Sequence, residues 1–142
     1  MRFYLDSAKV DEIAAAARLP WVAGVTTNPE ILRKAGVTDF QTVLEAAAAT
    51  GRRDWKLWVQ LAGDSFKAII DQVAELEEQL STRTGGLLAG PTLVFKLPPV
   101  PEVLLAASTL IRQGKEVCIT GIANSLQALS VCALPTVLEY GD

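Results

Sequence analysis

The chain has no histidine and only two cysteines among its 142 residues. Without histidine, acid–base catalysis near neutral pH has to use perturbed aspartate, glutamate, lysine or tyrosine side chains. The spacing of Cys118 and Cys132 matches no zinc site, so the sequence predicts no metal centre. Both cysteines lie in apolar stretches, where we expect buried free thiols, and such thiols fit a cytoplasmic location.

The sequence also lacks a basic run and a long uninterrupted apolar stretch. Its formal net charge is -3, which argues against nucleic acid as a partner. Its apolar stretches are too often interrupted to span a bilayer, and residues 1–12 lack the pattern of a secretory signal. Half of the residues are hydrophobic, so we expect one domain over residues 1–142 with a sizeable core and no membrane partner.

Five short apolar runs are present, and each ends on a polar residue. The runs predict strands over residues 2–6, 22–27, 56–61, 92–97 and 116–120, and their polar ends are Asp6, Thr27, Gln60, Lys96 and Thr120. Helical patterns over residues 8–18, 39–50, 64–82, 101–113 and 125–133 follow the runs, and Asn28 and Pro29 predict another helix start. This alternation indicates an α/β fold with a parallel sheet. The residues alone leave a barrel and an open doubly wound sheet as alternatives.

The polar strand ends are expected at one edge of the sheet, because chemistry on parallel sheets sits at the carboxyl ends of the strands. Side chains alternate along a strand, so each polar residue shares a face with the residue two positions away. The pairs are Tyr4 with Asp6, Thr26 with Asn28, Trp58 with Gln60, Val94 with Lys96, and Cys118 with Thr120.

Lys96 is the one lysine that ends a predicted strand, whereas Lys56 and Lys115 precede theirs. Apolar surroundings of low dielectric constant favour the neutral form of a lysine amine, and a neutral amine can attack a ketone and form a Schiff base. Alternatively, Lys96 is an ordinary strand-end lysine whose side chain extends so that its ammonium group reaches water. Helix capping is an alternative explanation for three of the polar residues, Asp6, Thr27 and Asn28. An amide such as Gln60 needs polar neighbours or water.

These residues resemble the transaldolase family, and most closely its compact fructose-6-phosphate aldolase branch. The resemblance rests on Tyr4-Leu5-Asp6-Ser7, Gly24-Val25-Thr26-Thr27-Asn28-Pro29, Val59-Gln60 and Val94-Phe95-Lys96-Leu97-Pro98, in this order. It implies a (β/α)8 barrel that acts on a ketose or sugar phosphate and needs no cofactor or metal. The implied roles are a Schiff base on Lys96, proton transfer by Asp6, a catalytic water held by Gln60 and Thr120, and substrate hydroxyls bound by Thr26 and Asn28.

The chain departs from this family in length. A (β/α)8 barrel takes about 250 residues, so we expect an incomplete TIM-type barrel of five to six parallel strands, with 136–140 as the candidate sixth. The family's phosphate-binding arginine has no counterpart here. Val25, Val59 and Val94 are expected to face an open gap, which a homodimer or larger homo-oligomer would cover. The alternative to a working enzyme is a weak or inactive family member that serves as a binding or assembly module.

Overall fold

Five parallel strands and six helices make up this computed structural model, which describes residues 1–86 and 89–134. The strands are β1 Phe3–Asp6, β2 Val22–Thr26, β3 Lys56–Gln60, β4 Thr92–Leu97 and β5 Glu116–Ile119. The helices are α1 Val10–Ala16, α2 Pro29–Lys34, α3 Gln41–Ala49, α4 Phe66–Thr84, α5 Pro101–Arg112 and α6 Ser125–Cys132. The strand order β1-β2-β3-β4-β5 confirms the predicted incomplete TIM-type barrel.

The candidate strand at 136–140 lies outside the described residues. Within the described part of the chain, no helix is long and apolar enough to cross a membrane. The chain forms two compact units. The first comprises residues 1–60 and 75–93, and the second comprises residues 61–74 and 94–142.

The first unit is built on the parallel register of β1, β2 and β3. Asp6 pairs with Thr26, and Thr26 pairs with Trp58, so these three residues lie side by side on one face. Helices α1 and α3 pack together and bury apolar side chains of the first unit. The residues that they bury are Ile13, Ala16, Val43, Leu44 and Ala47.

The expectation that three valines face an open gap is wrong, because Val25, Val59 and Val94 are all buried. Val25 directly precedes Thr26 at the end of β2, and Val59 directly precedes Gln60 at the end of β3. Because side chains alternate along a strand, each valine lies on the face opposite to that polar residue. Val94 belongs to β4, where Leu93 and Phe95 are buried as well. This central strand is therefore covered on both faces.

An arginine ties the amino ends of β2 and β3 to the end of α1. The Arg52 guanidinium donates to the carbonyl oxygens of Ala17 and Val22, each at 3.0 Å, and forms an ion pair with Asp54. The guanidinium carbon Cζ of Arg52 also lies over the ring of Trp55, 5.3 Å from the ring centroid. The Trp55 indole N–H donates to the same Val22 oxygen at 2.9 Å. The hydrogen bonds from Arg52 hold the pKa of the Asp54 carboxyl below its usual value.

In the second unit, β4 pairs with β5, and α5 packs against β5. Helix α5 buries Val103, Ala106, Ala107 and Leu110. Every residue of β5 is only half-buried, and α6 buries none of its residues. The expectation of two buried thiols is therefore wrong, since Cys118 on β5 is half-buried and Cys132 on α6 is exposed.

The predicted helices are present, with shifted ends. Helix α4 runs from Phe66 to Thr84 and follows the predicted period, since Ile69, Val73 and Leu80 are buried. Phe66 begins the predicted apolar face but is exposed, because it lies at the first turn of the helix. Gly51 has a φ of 68° and follows the end of α3, as predicted for a glycine that stops a helix.

Gly24 on β2 gives a test of the register. It has a φ of 150°, and a Cβ there would lie 1.8 Å from the carbonyl oxygen of Lys56 on β3. Gly24→Ala should lower the free energy of unfolding by about 3 kcal/mol or more, because backbone strain of roughly 1–3 kcal/mol adds to this clash. Urea unfolding followed by tryptophan fluorescence measures the loss.

Gly51→Ala is the matched control, since Gly51 also has positive φ but has no atom within 4 Å of the added Cβ. Its loss should be about 1–2 kcal/mol, the cost of the left-handed conformation alone. Equal losses at the two positions would contradict a close approach of β2 and β3 at Gly24.

Candidate active site

The first unit brings Asp6 and Thr26 into direct contact at the carboxyl ends of β1 and β2. The Thr26 hydroxyl donates to Asp6 Oδ1 at 3.0 Å, as the register of the two strands requires. Asp6 is exposed, and its Oδ2 accepts no hydrogen bond from the described residues. The contact orients the carboxylate and occupies only one of its two oxygens.

The capping alternative for Asp6 is wrong. Helix α1 has Lys9 at its N-cap position, with no side-chain cap. Ser7 organises the turn instead, because its Oγ accepts from the Lys9 backbone N–H and donates to Glu12 at 2.5 Å. The Ser7 hydroxyl, and then the Lys9 ammonium, lower the pKa of the Glu12 carboxyl. Asp6 is thus not engaged in building the helix that follows it.

Asn28 is the N-cap of α2, as its sequence predicts. Its Oδ1 accepts from the backbone N–H of Ile31 at 2.9 Å, and Pro29 opens the helix. The cap uses only the carbonyl oxygen of the amide, so the Nδ2 donors take no part in it. The capping alternative for Thr27 is wrong. It is buried, and its hydroxyl donates to the carbonyl oxygen of Trp58 at 2.9 Å, which ties β2 to β3.

Gln60 ends β3 as an exposed residue, and Trp58 lies two positions before it on the same face. The Trp58 ring meets Tyr4 edge to face, with 5.6 Å between ring centroids. Its indole nitrogen is buried and has no hydrogen-bond partner among the described residues. The alternation along β3 places Trp58 on the same face as Gln60. The sequence alone indicates no role for Trp58, because no sequence pattern predicts its contact with Tyr4.

A cavity of about 360 Å³ adjoins Asp6 in the first unit. The connection after β1 forms one wall and α2 the other. Its lining carries both charge signs, and Lys9 forms an ion pair with Glu12 at 3.2 Å. The lining residues are Asp6, Ser7, Ala8, Lys9, Glu12, Ile31, Lys34 and Ala35. The cavity is large enough for a small polar molecule beside the carboxylate of Asp6.

In the second unit, Lys96 lies one residue before the end of β4. Its neighbours Phe95 and Leu97 are fully buried, whereas Lys96 is half-buried. Lys96 pairs in register with Cys118 on β5, and its carbonyl oxygen accepts from the Leu61 backbone N–H at 3.1 Å. The amine is therefore carried by a strand with buried apolar neighbours.

Thr120 follows β5 directly and is half-buried. Its backbone N–H donates to the carbonyl oxygen of Leu97 at 2.8 Å, which extends the β4–β5 pairing by one step. Thr120 lies two residues beyond Cys118, the register partner of Lys96. Lys96 on β4 and Thr120, one residue beyond the end of β5, are therefore near neighbours along this strand pair.

The predicted site residues thus fall into two groups with different chemistry. The first unit carries a carboxylate with a hydroxyl partner, Asp6 and Thr26, and two amides, Asn28 at the start of α2 and Gln60 at the end of β3. In the second unit, a strand-borne amine lies with a hydroxyl, and the residues are Lys96 and Thr120.

Comparisons with known proteins point to one family. The family described as Transaldolase/Fructose-6-phosphate aldolase matches residues 3–137. A probable transaldolase of Citrifermentans bemidjiense is 33% identical over 129 residues, which are 91% of this chain and 54% of that protein. Probable transaldolase 1 of Listeria monocytogenes is 31% identical over 131 residues, with the same shares of the two chains.

A probable transaldolase of Bdellovibrio bacteriovorus is 29% identical over 131 residues, again 91% of this chain and 54% of that protein. The chain therefore spans about half the length of the curated relatives that it matches. The family match covers nearly the whole described sequence and includes all six predicted site residues. The chain belongs to the Transaldolase/Fructose-6-phosphate aldolase family.

Proposed function

We propose that this protein cleaves or transfers a dihydroxyacetone unit of a ketose or sugar phosphate through a Schiff base on Lys96. The observation that carries the proposal is the place of Lys96, a half-buried lysine one residue before the carboxyl end of β4, with the buried Val94 two positions earlier on the same face. Family membership and the transaldolase names of the relatives support an aldolase or transaldolase reaction. The reaction needs no metal or organic cofactor, because the iminium itself accepts electrons.

The reaction begins when the Lys96 amine attacks the ketose carbonyl carbon. The new C–N bond gives a carbinolamine, which loses its hydroxyl as water to form an iminium. The electrons of the adjacent carbon–carbon bond then move into the iminium, so an aldehyde leaves and an enamine stays on the lysine. The enamine adds to a second aldehyde or takes a proton, and water releases the product and the amine.

The remaining site residues supply proton transfer and hydrogen bonds. We assign proton transfer to Asp6, whose Oδ1 is held by Thr26 while Oδ2 has no partner among the described residues. We assign the binding of substrate hydroxyls to Thr26 and to the amide donors of Asn28, whose oxygen caps α2. Gln60 and Thr120 are assigned to the water that enters and leaves during imine formation and hydrolysis.

We also propose that the protein is a single-domain homo-oligomer of the cytoplasm. Among the described strands, β1 and β5 each have a neighbour on one side only, and such edges recruit another chain or are covered.

The second candidate function, a binding or assembly module with little activity, is favoured by one finding. The chain spans only 54% of the length of the curated relatives that it matches.

The first prediction concerns the amine. Borohydride reduction in the presence of dihydroxyacetone or fructose 6-phosphate should attach a ketose-derived mass to the peptide that contains Lys96, because reduction fixes the iminium. Peptide mass spectrometry locates the adduct. Lys96→Met should abolish it, whereas Lys67→Met should not, since Lys67 is exposed on α4. No adduct at high ketose concentration, or an adduct that survives Lys96→Met, would reject the enzyme and favour the binding module.

The second prediction concerns the carboxylate. Asp6→Asn should slow Schiff-base formation by about 100-fold or more, the usual range for a lost acid–base group. The fold should persist, because Asp6 is exposed and the amide oxygen of asparagine still accepts from Thr26. Rapid-quench borohydride trapping measures the rate, and thermal unfolding checks the fold.

Asp11→Asn is the control, since Asp11 is an exposed acid in the first turn of α1. It should trap ketose at the parent rate. If Asp6→Asn also traps at the parent rate, Asp6 has no part in proton transfer and only orients Thr26.

A further inference from the structure

Trp58 carries a hydrogen-bond donor that the fold buries without a partner. Its indole nitrogen Nε1 is buried, and no atom of the described residues accepts from it. An indole N–H can only donate, and a buried one normally finds an acceptor. Trp55 follows this rule, since its N–H donates to the carbonyl oxygen of Val22 at 2.9 Å. An unpaired buried donor is unfavourable, so the one on Trp58 needs a physical explanation.

The strand register places this donor among the polar residues of the first unit. Trp58 pairs with Thr26, and Thr26 pairs with Asp6, so the indole lies on the face that carries the hydroxyl and the carboxylate. Gln60 follows two residues later on the same face. A molecule held by Asp6 and Thr26 therefore lies beside the side chain of Trp58.

The Trp58 ring is held in place by an aromatic contact and not by its nitrogen. It meets Tyr4 with 5.6 Å between the ring centroids and 78° between the ring planes. Strand β2 lies between β1 and β3, so the two rings meet across it, and both side chains are only half-buried. Aromatic pairs keep their attraction over a range of edge-to-face and offset arrangements. A small turn of the Trp58 ring against Tyr4 can therefore uncover the N–H.

The charge on this face indicates which kind of oxygen the donor binds. The carboxylate of Asp6 lies on the same face as Trp58 and repels an anionic group such as a phosphate. A hydroxyl or carbonyl oxygen carries no charge and accepts from an indole N–H. The acceptor that fits is therefore a neutral oxygen of a hydroxylated ligand.

We infer that the indole N–H of Trp58 is a substrate-binding group, which donates to a hydroxyl or carbonyl oxygen of the ketose held at Asp6 and Thr26. The choice of a ketose rests on the proposed function, whereas the unpaired donor and its place on the face do not. In the free protein the donor has no partner among the described residues, and the bound ketose supplies one. Any phosphate of the substrate lies away from this face.

The test follows the indole N–H signals of the three tryptophans by NMR, in the isotope-labelled full chain, during a titration with dihydroxyacetone. The Lys96→Met variant is used, because it removes the covalent step and leaves reversible binding to be measured. The Trp58 signal should shift until the ketose saturates the site. The Trp55 signal should stay in place, since its N–H is already bonded to Val22.

Trp58→Phe in the same background keeps an aromatic ring for Tyr4 and removes the donor. It should raise the dissociation constant of dihydroxyacetone about 3- to 10-fold, the effect of one lost neutral hydrogen bond, as measured from backbone amide shifts. Trp21→Phe is the matched control, because Trp21 is 60% exposed, and it should leave the dissociation constant unchanged.

A Trp58 signal that the ketose does not move, parent affinity in Trp58→Phe, or an equal loss in Trp21→Phe would overturn the inference. Should Trp58→Phe fail to fold, the Trp58 signal is still identified by its nuclear Overhauser contacts with the Tyr4 ring, and its response to the ketose decides alone.

Borohydride trapping of the protein with Lys96 intact separates this inference from the proposed function. A Trp58 signal that shifts, together with no adduct at Lys96, would reject the Schiff base and retain the donor. An adduct at Lys96 with an unmoved Trp58 signal would do the reverse.

Discussion

The parallel register of β1, β2 and β3 is the constraint on which the first group of site residues depends. Because Asp6 pairs with Thr26, and Thr26 pairs with Trp58, a carboxylate, a hydroxyl and an indole lie on one face. A slip of one residue would turn each side chain to the opposite face and break the 3.0 Å bond between Thr26 and Asp6. The chemistry of the carboxylate is therefore a consequence of backbone pairing.

Two features at opposite ends of β2 hold this register. At the amino end, Arg52 and Trp55 both donate to the carbonyl oxygen of Val22, so β2 cannot slide without losing charged and neutral hydrogen bonds together. At the carboxyl end, the buried Thr27 hydroxyl donates to Trp58. A hydrogen bond to a charged group contributes about 1.5–3 kcal/mol and a neutral one about 1 kcal/mol. The amino end, with one charged and one neutral bond, therefore resists a slip more strongly than the Thr27 hydroxyl does at the carboxyl end.

The sequence predicts the strands and their polar ends well, because an apolar run that stops at Asp6, Gln60 or Lys96 is a local signal. Prediction fails where burial depends on distant partners. Thr27 looks like a helix cap until the carbonyl of Trp58 is known to lie within reach, and Cys132 looks buried until α6 is known to bury none of its residues. Arg52 has no sequence signal at all, since its acceptors lie about 30 residues earlier in the chain.

The two groups of site residues face different physical demands. A carboxylate that exchanges protons needs water and an orienting donor, and Asp6 has both, being exposed and held by Thr26. An amine that attacks a carbonyl needs apolar neighbours, and β4 supplies the buried Val94 two positions before Lys96 on the same face. Strand β4 can accept this lysine because its buried residues on both faces hold the strand in place, so the stability of the strand does not rest on the amine.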